Sequence, residues 1–325
     1  MATQRNQRGI SLIELITVIS ILGVIGSVAS VFIRGPIDAY VDSARRAALT
    51  DSADTAMRRI TRDIRKALPN SVRIKNPEGL TDGYDVDECL EFIPTKTAGR
   101  YRASLPGNIL DFVTATGDTS FNMLGLNSDL PADQRIEDGD WVAVYNLGAR
   151  TVVGLDVTAY PYIYRGADAY KNANISQVGN VVDATCLEGA IDDCETAIAI
   201  GSKLFPETSG SKRFYVIPKD ENIVSYACAF DSNDVGHLRR MVRNFNLDDL
   251  DDLDPSSDYC KSKGTSISGQ TLVSTILASN VSSCKFEHDD SDLQRNEPVR
   301  LTITFADDSG ESISLYHQVS ENNWP

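Results

Sequence analysis

From Ile10 to Ile33 the sequence carries one charge, Glu14, in an otherwise apolar run. A carboxylate held at a bilayer centre costs about 2.5 to 3.5 kcal/mol, so Glu14 requires a compensating interaction. Other groups capable of chemistry do not converge on a reaction. Asp248, Asp249, Asp251, Asp252 and Asp254 form an acidic run with the oxygen ligands that Ca²⁺ prefers, but they lack the turn glycine and closing glutamate of an EF-hand loop. They read as a solvated acidic loop, as do Asp289, Asp290 and Asp292. His237, His288 and His317 lie far apart without a second ligand at metal spacing. His317 is expected to be a hydrogen-bonded structural histidine on the inward phase of a hairpin. Neither a nucleophile motif nor a glycine-rich phosphate loop is present, so the expectation is a protein that is not an enzyme and needs no cofactor or resident metal.

Six cysteines, Cys89, Cys186, Cys194, Cys228, Cys260 and Cys284, all follow the apolar run, and none forms a C-x-x-C pair. An even number beyond an export signal fits up to three disulfides in an oxidising compartment. Cys186 and Cys194 flank a short acidic loop and are the preferred local pair; the other pairings stay open.

The formal net charge of -15 is unevenly spread. Residues 1–75 hold twelve Lys/Arg against six Asp/Glu, and residues 76–325 hold nineteen against forty. An acidic body is repelled by phosphate backbones, which excludes direct nucleic-acid binding by the bulk of the chain.

These residues need elements to position them. The polar residues 1–9 carry Arg5 and Arg8 and precede the apolar span. Twenty-four helical residues reach roughly 36 Å, enough to cross a hydrocarbon core of about 30 Å. Basic flanks stay cytoplasmic, which sends the carboxy-terminal bulk across the membrane. Gly23 and Gly26 are soft spots in the span, and with Ser27 and Ser30 they could form a close-packing helix face. Arg34-Gly35-Pro36 is a kink or break signal.

A second, amphipathic helix is expected over 34–68. Ala53, Met57, Ile60, Ile64, Ala67 and Leu68 form its apolar stripe, and Arg58, Arg59, Arg62, Asp63 and Arg65 its charged face. Residues 69–325 then form a β-rich domain. Strands are expected at 89–93, 109–113, 141–145, 214–217, 223–230 and 299–305, the last pairing as a hairpin with 313–319. A short helix is expected over 270–283, and long surface loops over 115–139, 165–212 and 246–270. The class is α+β: a long amino-terminal helix, half transmembrane and half amphipathic, on an antiparallel sheet with long disulfide-bearing loops.

The string Arg8-Gly9-Ile10-Ser11-Leu12-Ile13-Glu14-Leu15 resembles the signal read by prepilin peptidase. The chain is thereby similar to type IV pilin-like subunits, although Ile10 stands where that family most often has Phe. The resemblance implies cleavage between Gly9 and Ile10, N-methylation of Ile10, retention of the helix, and pairing of Glu14 with the amine of a neighbouring subunit. Arg34-Gly35-Pro36-Ile37, Ala67-Leu68-Pro69-Asn70-Ser71-Val72-Arg73, Cys89-Leu90-Glu91-Phe92-Ile93-Pro94, Gly99-Arg100-Tyr101-Arg102 and Ser314-Leu315-Tyr316-His317-Gln318-Val319 resemble the MshO-type minor pilins of the MSHA (mannose-sensitive haemagglutinin) pilus.

The resemblance implies a minor pilin that helps initiate or cap a pilus. Its implied partners are other major and minor pilins, prepilin peptidase, the inner-membrane assembly platform and the membrane. Its place is the inner membrane with a periplasmic domain, and then the fibre at the cell surface. A minor pseudopilin of type II secretion is the alternative with the same stem. A tip-displayed adhesin is the alternative of a different class, with Trp141, Trp324, Tyr160, Tyr162 and Tyr164 as aromatics that face a sugar or else pack in the core.

Overall fold

A single helix, α1 (Leu12–Ile64), runs for 53 residues. It passes through Pro36 without interruption, so the break expected there does not form and the two expected helices are one. A proline removes one backbone donor and crowds one carbonyl, whereas propagation through the flanking helical residues needs no fresh nucleus. α1 ends at Ile64, and the turn beyond it is held by bonds from Lys66 N to Asp63 O (3.0 Å) and from Ala67 N to Ile64 O (2.9 Å). The computed structural model describes residues 10–75, 86–113, 117–146, 174–183, 194–230, 236–245, 273–288, 298–307 and 310–320. Two compact units divide the chain at Asp51/Ser52.

In the second unit, the stripe read from the sequence is the face that packs. Ala53, Ala56, Met57, Ile60, Ile64, Ala67 and Leu68 are all buried. The first sheet comprises β1 (Arg73–Lys75), β2 (Val86–Phe92), β9 (Ile223–Phe230), β10 (Gly236–Arg243), β11 (Val273–Glu287), β12 (Val299–Ala306) and β13 (Ser312–Val319), in that spatial order and antiparallel throughout. The hairpin forms as expected, with Val299, Leu301, Ile303 and Phe305 opposite Val319, His317, Leu315 and Ile313.

β2 and β9 are neighbours, with Phe92 opposite Val224, yet the chain between them builds a second sheet. That sheet consists of β3 (Thr97–Arg100), β4 (Asp118–Leu124), β5 (Trp141–Ala143), β6 (Ile175–Asp183), β7 (Glu195–Lys203) and β8 (Arg213–Ile217), in the order β3-β8-β5-β6-β7-β4. An antiparallel bridge between Tyr101 and Met123 joins its two ends and closes the circuit. Tyr101, Phe121, Phe205, Phe214 and the aliphatic residues around them fill the interior. Gly99 is required there, because a Cβ at this position would lie 2.7 Å from the Phe214 ring and 2.9 Å from the Met123 sulfur. Leu68, Ile93, Ile223 and Phe245 meet Trp141, Ala143, Ile175 and Ile217 in a shared core that joins this closed sheet to the first.

Several expectations are corrected. Residues 109–113 are not a strand: the Asp118 carboxylate accepts from Asp111 N, and Asp111 Oδ1 accepts from Val113 N at 2.8 Å, so side chains replace ladder partners. The expected helix over 270–283 is β11 from Val273 onward, where Val273, Ile276 and Val281 are β-branched and β10 supplies a partner along the strand. The loops expected over 115–139 and 165–212 contain β4, β6 and β7. The loop 246–270 lies outside the described residues.

Candidate functional site

Ser11 precedes the first turn of α1, and Glu14 lies within that turn, where the helix dipole favours a negative charge. No group among the described residues pairs with the Glu14 carboxylate. The apolar side chains around it are uncovered in the isolated chain, with Leu12, Ile13 and Ile19 each at least 60% exposed. Three hydroxyls in this run are satisfied within the helix: Thr17 donates to Glu14 O at 2.9 Å, Ser20 to Ile16 O at 2.8 Å and Ser27 to Val24 O at 2.8 Å. A Cβ added at Gly23 or Gly26 would meet nothing within 4 Å. This segment of α1 is long and apolar enough to cross a membrane. Apart from the Glu14 carboxylate, the hydroxyls just named demand no water, so lipid or neighbouring helices can cover the segment. Gly9 lies outside the described residues, and Ile10 is the first of them.

The other end of α1 is fastened by charge. Asp63, assigned from periodicity to the solvent face, is buried, and Tyr226 Oη donates to its Oδ2 at 2.7 Å. Arg240 Nε donates to the same oxygen at 2.8 Å, and Arg59 Nε reaches it at 3.3 Å. Burial first, and the Asp63 carboxylate second, push the Tyr226 hydroxyl far above its ordinary value. It therefore stays a donor at every physiological pH. Arg240 also pairs with Glu221, so helix and sheet share one network.

In the same sheet, Glu91 on β2 is buried between Arg73 and Arg243 and accepts from Ser225 Oγ at 3.0 Å. Burial alone raises the Glu91 carboxyl, but the two guanidinium charges and the hydrogen bonds from Arg73 and Ser225 outweigh it and hold the group below the ordinary carboxylate range. Helical spacing alone could not locate these partners. The only sequence-level signal was a charge close to the apolar stripe, Asp63 beside Ile64.

Of the six cysteines, Cys228 on β9 and Cys284 on β11 are bonded, with Cα atoms 6.1 Å apart. β10 lies between these strands but begins at Gly236, opposite Val281. Past that point β11 is free to swing toward β9. Cys89 and Cys194 are also in disulfides, whose partners, like the expected Cys186–Cys194 pairing, lie outside the described residues.

The remaining candidates scatter. Trp141 is a core residue, edge-on to Phe245 with ring centroids 5.6 Å apart. Trp324, Tyr160, Tyr162, Tyr164 and the Asp248–Asp254 run lie outside the described residues. No group of three or more potential metal ligands occurs among the described residues. His237 lies 3.2 Å from Ser279 Oγ, which fits a structural role. His317 keeps its inward phase but is exposed, and among the described residues it has no hydrogen-bond partner and lies on the terminal strand of its sheet.

Residues 4–30 match the family model described as the prokaryotic N-terminal methylation motif. That motif is a type IV pilin-like prepilin signal, and it supports a pilin- or pseudopilin-like structural subunit that assembles with other pilins. No curated protein and no solved structure matches the chain.

Proposed function

We propose that the chain is a minor pilin, a subunit that prepilin peptidase cleaves between Gly9 and Ile10 and that helps to initiate or cap a type IV pilus of the MSHA type. The observation that carries this reading is the continuity between the methylation motif at 4–30 and a 53-residue helix whose apolar first turns are uncovered around one unpaired carboxylate. Before assembly the apolar run lies in the inner membrane and the β-rich body in the periplasm. In the fibre, neighbouring helices take the place of lipid. Glu14 then meets the Ile10 amine of another subunit, where the low dielectric strengthens the pair. Residues 1–9 act as the leader, 10–33 as the membrane and assembly segment, and 69–325 as the displayed domain.

Mutation separates the two steps. Gly9→Asp is expected to leave the chain at its precursor size on an immunoblot. Glu14→Ala is expected to be cleaved normally and to remain in the membrane fraction while pilus initiation falls. Normal pilus numbers after clean deletion of the gene would sink the assembly role. Loss of protein secretion with intact pili would instead favour a type II secretion pseudopilin, which shares the same stem.

A further inference from the structure

We propose that the cleft between the carboxy-terminal turns of α1 and the edge strand β13 binds an acidic, extended peptide segment of a neighbouring subunit. The cleft has a volume of about 380 Å³ and, among the described residues, is lined by Arg58, Arg62, Arg65 and Lys66 from the helix end, by His317 from the strand, and by a single carboxylate, Asp54. Asp54 is already engaged, 2.6 Å from Arg58 Nε. Arg62, Arg65, Lys66 and His317 have no side-chain ion pair or hydrogen bond among the described residues. One or two cations suffice to complement a helix carboxy terminus. Four that converge with a histidine on one cleft leave positive charge over.

The strand supplies a second kind of recognition. Among the described residues β13 is last in its sheet and bonds β12 on one side only, which leaves a row of backbone donors and acceptors along its outer edge. An extended peptide can add there as a further antiparallel or parallel strand. Carboxylates two residues apart on such a peptide are roughly 6.8 Å apart, close to the rise of about 6 Å between Arg58 and Arg62 on the helix. The Met57 side chain and the arginine stems give the cleft an apolar floor for the intervening side chains.

Charge selects the occupant. Residues 76–325 of this chain hold forty acidic against nineteen basic residues, which repels a nucleic acid or another polyanion on approach. A short acidic peptide brings less charge against that field and also satisfies the strand edge. The identity of its donor as a filament neighbour rests on the assembly reading above.

The test uses the full chain in detergent micelles and a fluorescein-labelled probe of alternating Asp and Leu, four of each, followed by anisotropy. Saturable binding is expected, with loss of about tenfold or more in affinity for the Arg62→Glu/Arg65→Glu double variant, a cost in line with removing exposed-to-half-buried charge partners. Arg62→Lys/Arg65→Lys is expected to retain most of the affinity, and the melting temperature of both variants to match the parent. A probe with Asn for every Asp is expected not to bind, and one N-methylated along its edge-facing amides to bind weakly. Undiminished binding by the charge-reversed variant, equal binding of the N-methylated probe, or displacement by short polyphosphate as readily as by unlabelled peptide overturns the proposal. None of these readouts depends on processing or filament formation, so normal peptide binding alongside normal pilus numbers in the deletion strain would remove the assembly reading and leave the cleft assignment standing.

Discussion

At the scale of single residues, two carboxylates in this chain have opposite fates. Glu14 stands on the uncovered first turns of α1 with no partner among the described residues, whereas Glu91 is enclosed by Arg73, Arg243 and Ser225. Replacing Glu91 with Ala removes the carboxylate that Arg73 and Arg243 share in a buried site, and a loss of about 3 to 5 kcal/mol is expected in denaturant unfolding. Acid should act through the same residue. Its folded-state value lies below the ordinary 4.5, so the unfolded chain takes up the proton first. The stabilisation is complete above that ordinary value and falls away as pH drops toward the lowered folded value. Glu91→Gln should flatten this part of the stability profile.

Tyr226→Phe tests the second network. It removes the bond to Asp63 but leaves Arg240 in place, and a cost of about 1 to 2 kcal/mol is expected. Neither network was legible in the sequence. The helical phase of Asp63 is that of a surface residue, and only the tertiary arrangement brings Tyr226 and Arg240, more than 160 residues away, to its oxygen.

At the scale of elements, what could be read depended on whether the pattern was local. The stripe from Ala53 to Leu68 and the alternation from Val299 to Phe305 arise from burial on one face, and both appear in the fold as expected. β9 is buried across both faces from Ile223 to Cys228, and its unbroken apolar and small residues still identified it as a strand. β3, β6 and β10 contain glycine or charged residues and derive their order from neighbours, so the sequence alone read through them.

β11 shows the reverse error, in which spacing compatible with a helix yielded to pairing with β10 and β12. Its covalent tie to β9 closes a loop with a sequence separation of 56 residues, which in the chain-entropy account contributes about 4 kcal/mol. Cys228→Ser/Cys284→Ser should lower the melting temperature under oxidising conditions and remove part of the parent's response to reductant.

At the scale of the whole molecule, the unexpected feature is a closed six-stranded sheet set between two strands that are neighbours in another sheet. Composition suggested long loops over part of this region because Gly, Asp and Ser are frequent there, yet the inward positions hold Phe121, Ile198, Phe214 and Val216 at regular alternation. Gly99→Val tests how tightly that interior is filled. The added side chain must displace the Phe214 ring or the Met123 sulfur, so lost near-ultraviolet dichroism from this sheet is expected before the helix signal changes.

The adjacency of Phe92 and Val224 also sets an order of events for a chain made from its amino terminus. β2 is synthesised well before the strand that will lie beside it, and until β9 follows, one of its edges has no permanent neighbour. All six strands of the closed sheet emerge in that interval, and their pairing requires nothing that comes later. The inserted sheet is thus free to form as a unit and bring its two ends together, which carries β9 to β2 and shortens the search that a gap of some 130 residues would otherwise impose.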